Sequence, residues 1–496
     1  MEKQKSLKLE KWTTKDTVKN VICCIVNIIV IFGIYIGVIY LNCLREDATT
    51  TFTGYFADIK KAFHFLILDV AVVAAFDIYF LFEDGNFVKV AKNFELMLAA
   101  IVFSVIVNQL LGHYVHYYLR PLALPAMLVL FLASRRKAIF CQVTFSIILL
   151  LTDLYGSVNG TPALGFFLTF VIGIISGMIA VFVMENVYSR ATLVLRSFLV
   201  SLPALLYLLF YAEEVWLAGV FFPTLSMIFS GPVATVIFIV IVPFFELIFS
   251  KITCFKLAEI TDHKAKLIKR LIEEAPGTFN HSTVVSNLAE ACALAIGEDA
   301  LFARTCAYYH DIGKLRRPEY FVENQSDGKN PHDDLTPELS ANIIKSHTVD
   351  GYKLVLKAGL PKEIADVCIE HHGTMPIVYF YEKAKKFTDG EVNIKNYCYE
   401  GPKPQSKIAA IIMIADGCEA AARTLVDRSR ENVEKIVKNI VDIRMNSGQF
   451  DECEITLNEI SIIEQTIVSN FSGIYHSRVA YPSEKKKVKK KKIKIK

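Results

Sequence analysis

The sequence lacks the cysteine spacings of metal-binding knuckles and thiol redox sites. Its eleven cysteines are scattered, and no two of them are separated by two residues. This absence excludes a zinc knuckle, and the scatter argues against a disulfide framework. Cys292, Cys306, Cys368 and Cys418 lie in apolar helical patterns, as expected for small core residues of a protein in a reducing compartment.

Charged residues are scarce between residues 20 and 250, where long apolar runs follow one another. Hydrophobic residues make up 53% of the 496-residue chain, and its mean hydropathy is +0.38. That is too apolar for a soluble protein of this length. The first run is too long for a cleaved signal peptide and lacks a small-residue cleavage site. We therefore predict that residues 20–250 form a transmembrane region.

The apolar runs predict about eight spans. Seven runs are separate, at about 20–42, 63–82, 94–112, 121–133, 138–154, 163–184 and 191–212. The last region, 215–250, is too long for one simple span, and we expect a break at Gly231–Pro232. One full span plus a half-helix there gives eight spans and a cytoplasmic C-terminal domain, whereas two full spans would place that domain outside. The basic residues between the runs favour eight.

Lysines are concentrated at the two ends of the chain. Residues 1–19 contain six lysines, and the last twelve residues contain nine. The positive-inside rule then predicts a basic cytoplasmic N-terminus at 1–19 and a plasma-membrane protein with both ends in the cytoplasm. We interpret 476–496 as a solvated lysine-rich tail, and we expect no nucleic-acid partner. The tyrosines and histidines of 112–120 predict an aromatic belt at the outer surface, with a metal site at His113 and His116 as the less favoured alternative.

The second half of the chain reads as an all-α globular domain at 276–475, joined to the membrane region by a helical connector at 251–275. No alternating strand pattern competes with this prediction. Ser282 or Thr283 can cap a helix that runs to about residue 296, and a second helix is expected at 300–314. Residues 373–405 contain several prolines and glycines, and we predict that they are mostly irregular.

The central motif of this domain is LFARTCAYYHDIGKLRR at 301–317. An apolar helical run leads to adjacent His310 and Asp311, with Lys314 one turn further on. Burying an imidazole and a carboxylate at the end of such a run costs several kcal/mol unless a metal or a partner offsets it. An isolated His-Asp pair is weak evidence, because it is usually a surface pair or a cap.

Further candidate ligands flank the motif on both sides. Together they are five histidines and two carboxylates: His281, His310, Asp311, His347, His371, His372 and Asp416. Seven such ligands suffice for two metal ions with positions left open for water and substrate. Imidazole and carboxylate without thiolate suit iron, manganese, cobalt, nickel or zinc rather than magnesium or calcium.

The order of these residues resembles that of the HD-domain phosphohydrolases. The blocks that surround them resemble the membrane-bound, seven-transmembrane HD hydrolases that cleave cyclic di-AMP: APGTFNHS, AYYHDIGK, NPHDDLTPELSA, IEHHGT, GPKPQSKIAAIIMIAD and GQFDECEITL. The resemblance is close over roughly 255–475 and looser over the membrane region. It implies an all-α architecture, a polytopic helix bundle followed by a cytoplasmic HD domain.

The resemblance also implies a reaction and roles for residues. It implies a phosphodiesterase that converts cyclic di-AMP to linear pApA with two divalent ions, manganese or iron being preferred. Asp311 would bridge both ions and act in catalysis, and Lys314 would neutralise a phosphate oxygen. Asn324 is a candidate substrate contact. By resemblance, the remaining ligands divide between the ions as His281, His310 and Asp416 for one, and His347, His371 and His372 for the other.

Three features limit what the resemblance implies. Members of this family typically carry a large extracytoplasmic domain after the first span, where this chain has only residues 44–63. Asn280 stands where the family usually has a histidine. The preference for adenine follows from resemblance alone, and the sequence does not determine whether the protein is a homodimer.

Two functions of other classes stay open. One is a membrane receptor whose HD domain binds a nucleotide messenger without hydrolysing it, although the complete ligand set favours catalysis. The other is a transporter-like bundle that the HD domain regulates.

Overall fold

The computed structural model describes residues 13–45, 59–84, 87–156, 163–205, 221–325, 329–387, 391–425, 427 and 429–474. The chain divides into two compact units, residues 1–256 and 257–496. Within the described residues there is no β-strand, only an isolated bridge between Pro376 and Cys398. The predicted all-α fold is therefore confirmed. The ends at 1–12 and 475–496, including the predicted lysine-rich tail, lie outside the described residues.

The first unit is a bundle of apolar helices. In chain order they are α1 (Thr14–Arg45), α2 (Ile59–Asp84), α3 (Phe87–Tyr114), α4 (Leu124–Leu132), α5 (Arg135–Gly156), α6 (Ala163–Met184), α7 (Arg190–Val200) and α8 (Phe221–Phe249). Among the described residues, six of them (α1, α2, α3, α5, α6 and α8) are long and apolar enough to cross a membrane. Large apolar side chains such as Phe222, Val240 and Leu247 point out of the bundle, as expected for contact with lipid.

The count of eight spans stays a prediction. The predicted fourth span corresponds to the short helix α4, which follows a 3₁₀ turn at Tyr117–Leu119. The predicted seventh span, 191–212, is described only as far as residue 205. The chain is a multi-pass membrane protein on the described helices alone.

The expected break at Gly231–Pro232 is wrong, because α8 runs through both residues as one helix. A proline inside a membrane helix is tolerated where neighbouring groups satisfy the freed backbone. Next to the proline, the Gly231 amide donates to Ser201 Oγ at 2.9 Å, a contact between α8 and the residue that ends α7. A Cβ at residue 231 would overlap the carbonyl oxygen of Ser197. Glycine thus allows α8 to pack directly against the backbone of α7.

A buried ion pair joins the start of α4 to α5 inside the bundle. Arg120 and Asp153 are 3% and 8% exposed, and two guanidinium nitrogens donate to the carboxylate at 2.8 and 3.1 Å. Gln109 on α3 donates a further hydrogen bond to Asp153 at 2.7 Å. A planar guanidinium bound by two hydrogen bonds is the form of pair best able to offset the cost of burial.

The second unit is an all-helical domain that matches the predicted pattern in most of its elements. Its helices are α9 (Cys254–Ile260, which begins in the first unit), α10 (Lys266–Glu274), α11 (Pro276–Ile296), α12 (Ala300–Tyr309), α13 (Pro337–Lys357), α14 (Lys362–Glu370), α15 (Val378–Phe387), α16 (Lys407–Thr424), α17 (Arg430–Asn446) and α18 (Leu457–Ile474). The stretch predicted to be mostly irregular, 373–405, contains α15 and a short 3₁₀ helix at Ile394–Tyr397, and its other described residues are irregular. The amphipathic run at 378–387 buries Phe380 and Ala384.

Removal of one partner of the Arg120–Asp153 pair should destabilise the bundle more than removal of both. We expect Arg120→Leu and Asp153→Leu each to cost about 3–5 kcal/mol, since each leaves a buried charge without its partner, and the double variant to regain much of that loss. The measurement is thermal unfolding of the full chain in detergent. Arg135→Leu, which breaks the exposed pair with Glu185, is the control and should cost under about 1 kcal/mol. Additive effects of the two single substitutions would contradict this prediction.

Candidate metal centre

Five helices of the second unit bring the seven predicted ligands to one place. His281 lies in the second turn of α11, His310 and Asp311 directly follow α12, and His347 lies on α13. The remaining three are His371 and His372, which directly follow α14, and Asp416 on α16. The helix predicted at 300–314 is shorter in the structure. α12 ends at Tyr309, and a 3₁₀ helix covers Ile312–Arg316.

The predicted start of α11 is also wrong. We expected a cap at Ser282 or Thr283, but the helix begins at Pro276, so that His281 lies inside it. Proline is favoured at the first position of a helix, where its fixed φ suits the helix and its missing N–H is no loss. His281 consequently has a defined direction on a helix face rather than a place in a turn.

The two carboxylate oxygens of Asp311 face two different groups of imidazoles. Oδ2 lies 3.4 Å from His281 Nε2 and 3.3 Å from His310 Nε2. Oδ1 lies 3.3 Å from His347 Nε2 and 3.7 Å from His371 Nε2. A single buried carboxylate is therefore placed between two sets of nitrogen ligands, which is the arrangement that a bridging ligand of two metal ions requires.

Asp416 lies on the open side of the same cluster. Its Oδ1 is 3.1 Å from His281 Nε2 and 4.0 Å from His310 Nε2, and its Oδ2 is 3.7 Å from His372 Nδ1. Three sets of side chains have ligand atoms that lie within 4.8 Å of one another: His281, His310 and Asp416; His347, His371 and His372; and His310, Asp311 and His371. The first two sets are those that the resemblance implied for the two ions.

Backbone carbonyls fix the tautomers of three histidines. Nδ1 of His310 donates to the carbonyl oxygen of Ala307 at 2.6 Å, and Nδ1 of His347 donates to that of Ile344 at 2.6 Å. His371 makes the equivalent bond at 3.2 Å. Because Nδ1 carries the proton in each ring, Nε2 presents a lone pair to the cluster. Such bonds both orient metal ligands and raise their basicity.

Two polar atoms in the cluster are buried without a hydrogen-bond partner among the described residues. They are Nε2 of His310 and Oδ1 of Asp311. In addition, Nε2 of His347 and Nε2 of His371 lie only 3.4 Å apart. Two lone pairs at that distance repel each other unless a cation or a proton lies between them. These contacts fit divalent ions, as the donor set of imidazole and carboxylate also does.

The pKa directions of His371, His372 and Asp311 agree with such a site. Burial and the neighbouring imidazoles hold the pKa of His371 well below its usual value, and burial lowers the pKa of His372 to about 3. Burial would raise the pKa of Asp311, but Lys314 and His310 more than offset it, so that this pKa lies well below the usual range. Neutral imidazole and ionised carboxylate are the forms that bind metals.

Glu419 is a functional residue that sequence reasoning missed. Its carboxylate is 2% exposed, and Oε2 lies 2.6 Å from His281 Nδ1. This contact directs His281 Nε2 toward the two aspartates. Burial would lower the pKa of His281, but its hydrogen bonds to Asp311, Asp416 and Glu419 raise it well above the usual value. The available signal was the spacing, since Glu419 follows Asp416 by three residues and so shares its helix face.

Lys314 lies beside the cluster between two carboxylates. Its ammonium is 2.8 Å from Asp311 Oδ2 and 2.8 Å from Glu323 Oε1, and the side chain is 13% exposed. Burial would lower the pKa of Lys314, but the two carboxylates raise it above the usual value. The lysine is therefore charged at the edge of the site that Asp311 occupies.

The predicted substrate contact Asn324 is bonded at both ends of its amide. It accepts from the Thr278 amide at 3.1 Å and donates to Thr278 Oγ1 at 2.9 Å. These bonds attach the loop after the central motif to the start of α11. A role in substrate binding stays a prediction for Asn324.

Tyr399 is a second residue that sequence reasoning missed, and for this one the sequence gave no signal. Its ring stacks on His372 with centroids 4.3 Å apart, and it meets His347 edge to face at 6.0 Å. Burial raises the pKa of its hydroxyl. It lies in the irregular stretch before α16, where no periodic pattern indicates which side chains point inward.

Comparisons with known proteins agree with this site. Residues 278–421 match the family model described as an HD domain, and residues 62–253 match the one described as a 7TM receptor with intracellular HD hydrolase. A Bacillus subtilis protein called cyclic-di-AMP phosphodiesterase PgpH is 38% identical over 75% of this chain and 52% of its own length. The Listeria monocytogenes protein of the same name is 38% identical over 74% of this chain and 51% of its own length. The chain thus spans about half the length of the curated relatives it matches.

Two solved structures are similar to the second unit in sequence. One is the crystal structure of the HD domain of L. monocytogenes phosphodiesterase PgpH, with 48% identity, 42% of this chain and 99% of that chain covered, and a TM-score of 0.41. The other is the crystal structure of that domain in complex with cyclic-di-AMP. It is 46% identical, the match covers 43% of this chain and 100% of that chain, and the TM-score is 0.42. An HD domain implies binding of divalent metal ions, and the ligand sets described above could hold them.

Glu419→Gln should weaken metal binding without unfolding the domain. Loss of a carboxylate that orients a ligating histidine lowers metal affinity by about 10–100-fold. The measurement is the dissociation constant for Mn(II) by calorimetry on the full chain, together with its unfolding temperature. Glu290→Gln, on the half-exposed pair with Arg304, is the matched control and should leave both unchanged. Equal affinity in the Glu419 variant and the control would contradict the positioning role.

Gly313→Ala should disturb the metal centre through the backbone. A Cβ at Gly313 would overlap the carbonyl oxygen of His347, so α13 must move away and carry its ligand with it. We expect a loss of about 1–3 kcal/mol of stability together with weaker Mn(II) binding.

The control for this substitution is Gly297→Ala. Gly297 ends α11 with a φ of 78° and has no atom within 4 Å of a Cβ. Its replacement should cost about 1–2 kcal/mol from backbone strain and leave metal affinity unchanged. Unchanged Mn(II) affinity in both variants would show that the close contact at Gly313 does not position His347.

Proposed function

Because the chain belongs to the family of 7TM receptors with an intracellular HD hydrolase domain, we propose that it is a metal-dependent phosphodiesterase that hydrolyses cyclic di-AMP to linear pApA at the cytoplasmic face of the membrane. The observation that carries the proposal is the position of Asp311, whose two oxygens face two separate groups of imidazoles. The two curated relatives described above are called cyclic-di-AMP phosphodiesterases, and the choice of substrate rests on those names.

Hydrolysis of a phosphodiester needs a hydroxide at neutral pH and positive charge on the phosphate oxygens. A pair of divalent ions supplies both when it is bound in such a site. In this chain, His281, His310 and Asp416 would hold one ion, and His347, His371 and His372 would hold the other, with Asp311 shared between them. Manganese and iron both suit this set of nitrogen and oxygen ligands.

The protein's own groups would prepare the reaction around the ions. The carbonyls of Ala307 and Ile344 hold the rings of His310 and His347 in one orientation. Lys314 would donate to a non-bridging phosphate oxygen, since its ammonium is kept charged by Asp311 and Glu323. Such preorganised donors stabilise charge that develops in the transition state.

The cytoplasmic side is supported by the distribution of charge at one end of the bundle. Parts of five helices lie together there: the end of α2, the first turns of α3 and α5, and the ends of α6 and α8. The contacts that join them are Lys137–Asp84, Arg135–Glu185 and Lys251–Asn93. Basic residues are enriched on the cytoplasmic side of membrane proteins, and α8 leads from this end into the HD domain.

The alternative is a membrane receptor that binds a nucleotide messenger without hydrolysing it. The proximity of all seven predicted ligands favours hydrolysis, because binding alone does not require two complete ligand sets. Neither function depends on whether the protein is a homodimer.

The test uses the purified full chain in detergent, loaded with Mn(II) or Fe(II). It is incubated with cyclic di-AMP, cyclic di-GMP and ppGpp, and the products are separated by chromatography. We expect cyclic di-AMP alone to be converted to pApA. Asp311→Asn should lower kcat/KM by at least about 10³-fold, because an amide carries no negative charge and offers one oxygen where the carboxylate would offer two to the ions.

The control for this substitution is Asp366→Asn. Asp366 lies on α14 in a surface pair with Lys362, and its loss should leave the rate unchanged. Absence of turnover in a protein shown to contain metal would overturn the enzymatic proposal and favour the receptor. Conversion of cyclic di-GMP at an equal rate would overturn only the choice of base.

A further inference from the structure

Arg444 on α17 is a cation of the second unit with which no carboxylate of the described residues pairs. Its Nη1 donates to the carbonyl oxygen of Ile440, one turn earlier in the same helix, at 3.2 Å. Nε is buried without an acceptor among the described residues, and Nη2 has no acceptor there either but is not fully buried. By contrast, four other arginines of this unit form ion pairs with carboxylates: Arg270, Arg304, Arg316 and Arg423.

The charge of Arg444 is therefore poorly compensated within the protein. The residue is half-buried. Burial lowers its pKa, and the charge of Asp416 offsets this effect only in part. A charge that is taken out of water without a partner is costly, and an unsatisfied polar group in a native fold calls for a bound molecule or a functional role as its explanation. The fold thus keeps a cation with donors free for an anion.

Arg444 lies beside the metal centre. A Cβ built on Gly417 would be 2.1 Å from Nη2 of Arg444, and Gly417 directly follows the candidate ligand Asp416 on α16. Any larger side chain at residue 417 would displace the guanidinium. Asp416 and Gly417 are both partly exposed, and Ala420, one turn beyond Asp416 on the same face of α16, is exposed. Arg444 therefore borders the open side of the cluster.

The end of α17 is attached to the turn that follows His371 and His372. The side chain of Gln449, which is 2% exposed, accepts from the Thr374 amide at 3.0 Å and donates to Thr374 Oγ1 at 3.0 Å. The amide of Gln449 in turn donates to the carbonyl oxygen of Arg444 at 3.0 Å. These bonds fix the backbone of Arg444 relative to two of the candidate metal ligands.

The chemistry of a cyclic dinucleotide suits a second cation at this place. Its ring contains two phosphodiester groups, of which one is hydrolysed while the other stays intact. Lys314 contacts Asp311, whereas Arg444 borders the residue after Asp416, so the two cations lie next to different aspartates of the cluster. Hydrogen bonds from a guanidinium to a phosphate are charge-assisted and strong. Nη2 can supply them to a phosphate that lies beside the metal centre rather than on it.

We propose that Arg444 binds the second, unhydrolysed phosphate of the cyclic dinucleotide. The inference rests on the proposed function, because it takes that substrate as given. Arg444 is then a residue that determines specificity: it favours ligands with two phosphates over ligands with one, and it takes no part in the bond cleavage.

The test is calorimetry on the full chain in detergent, loaded with Mn(II), with pApA and AMP as ligands. Neither is the substrate, so binding is measured without turnover. We expect Arg444→Gln to raise the dissociation constant for pApA about 10–100-fold, as loss of a hydrogen bond between charged groups does, and to leave that for AMP unchanged. AMP has a single phosphate, which the ions would hold. Arg444→Lys keeps the charge and should lose less affinity for pApA than Arg444→Gln.

The matched control is Arg430→Gln. Arg430 lies exposed at the start of the same helix, and its replacement should change neither dissociation constant. The Mn(II) affinity should stay the same in all three variants. An equal loss of affinity for pApA and AMP in Arg444→Gln, or an affinity for pApA equal to that of the wild type, would overturn the assignment. A wild-type protein that contains Mn(II) but neither binds pApA nor hydrolyses cyclic di-AMP would overturn the proposed function itself.

Discussion

The structure of the second unit depends on one buried carboxylate. Asp311 is 2% exposed, and four imidazole nitrogens lie within 3.7 Å of its oxygens. Burial of an ionised carboxylate without compensation is too costly for a stable fold. Lys314 supplies one positive charge, while the lone pairs of the imidazoles add repulsion that only cations relieve. The site is thus stable as a closed arrangement when its ions are bound, so folding and metal binding are expected to be coupled.

The membrane unit satisfies a buried charge in a different way. Arg120 and Asp153 match each other in charge and geometry, and Gln109 completes the hydrogen bonds of the carboxylate. The pair is neutral, so it does not attract a further ion. The metal centre, by contrast, brings Asp311 and Asp416 together among five imidazoles, and the pKa values of His371 and His372 lie below their usual value. The first arrangement is satisfied within the protein, and the second favours cations.

The seven candidate ligands could be predicted from the sequence because each is a polar residue at a specific spacing in an apolar or motif-like context. Their division between the two faces of Asp311 came from resemblance, and no pattern in the chain indicates it. Helix boundaries were less predictable. The helix that contains His281 was expected to start at Ser282 or Thr283, which are good capping residues, yet Pro276 starts it earlier. Proline at the first helical position is itself a local start signal, so the sequence contains two possible starts and the structure uses the earlier one.

Residues that act through other residues were not predictable in the same way. Glu419 supports His281 across two helices, and Tyr399 reaches His372 from an irregular stretch, so neither contact follows from periodicity. The segment 112–120 is the clearest case. Its tyrosines and histidines predicted an interfacial belt, but Tyr117 bonds to Thr169 and the adjacent Arg120 is almost fully buried. An arginine at the end of an aromatic cluster suits a membrane surface as well as a buried pair, and only the position of Asp153 on α5 distinguishes the two. Contacts between distant segments of the chain therefore determine where this protein buries its charge.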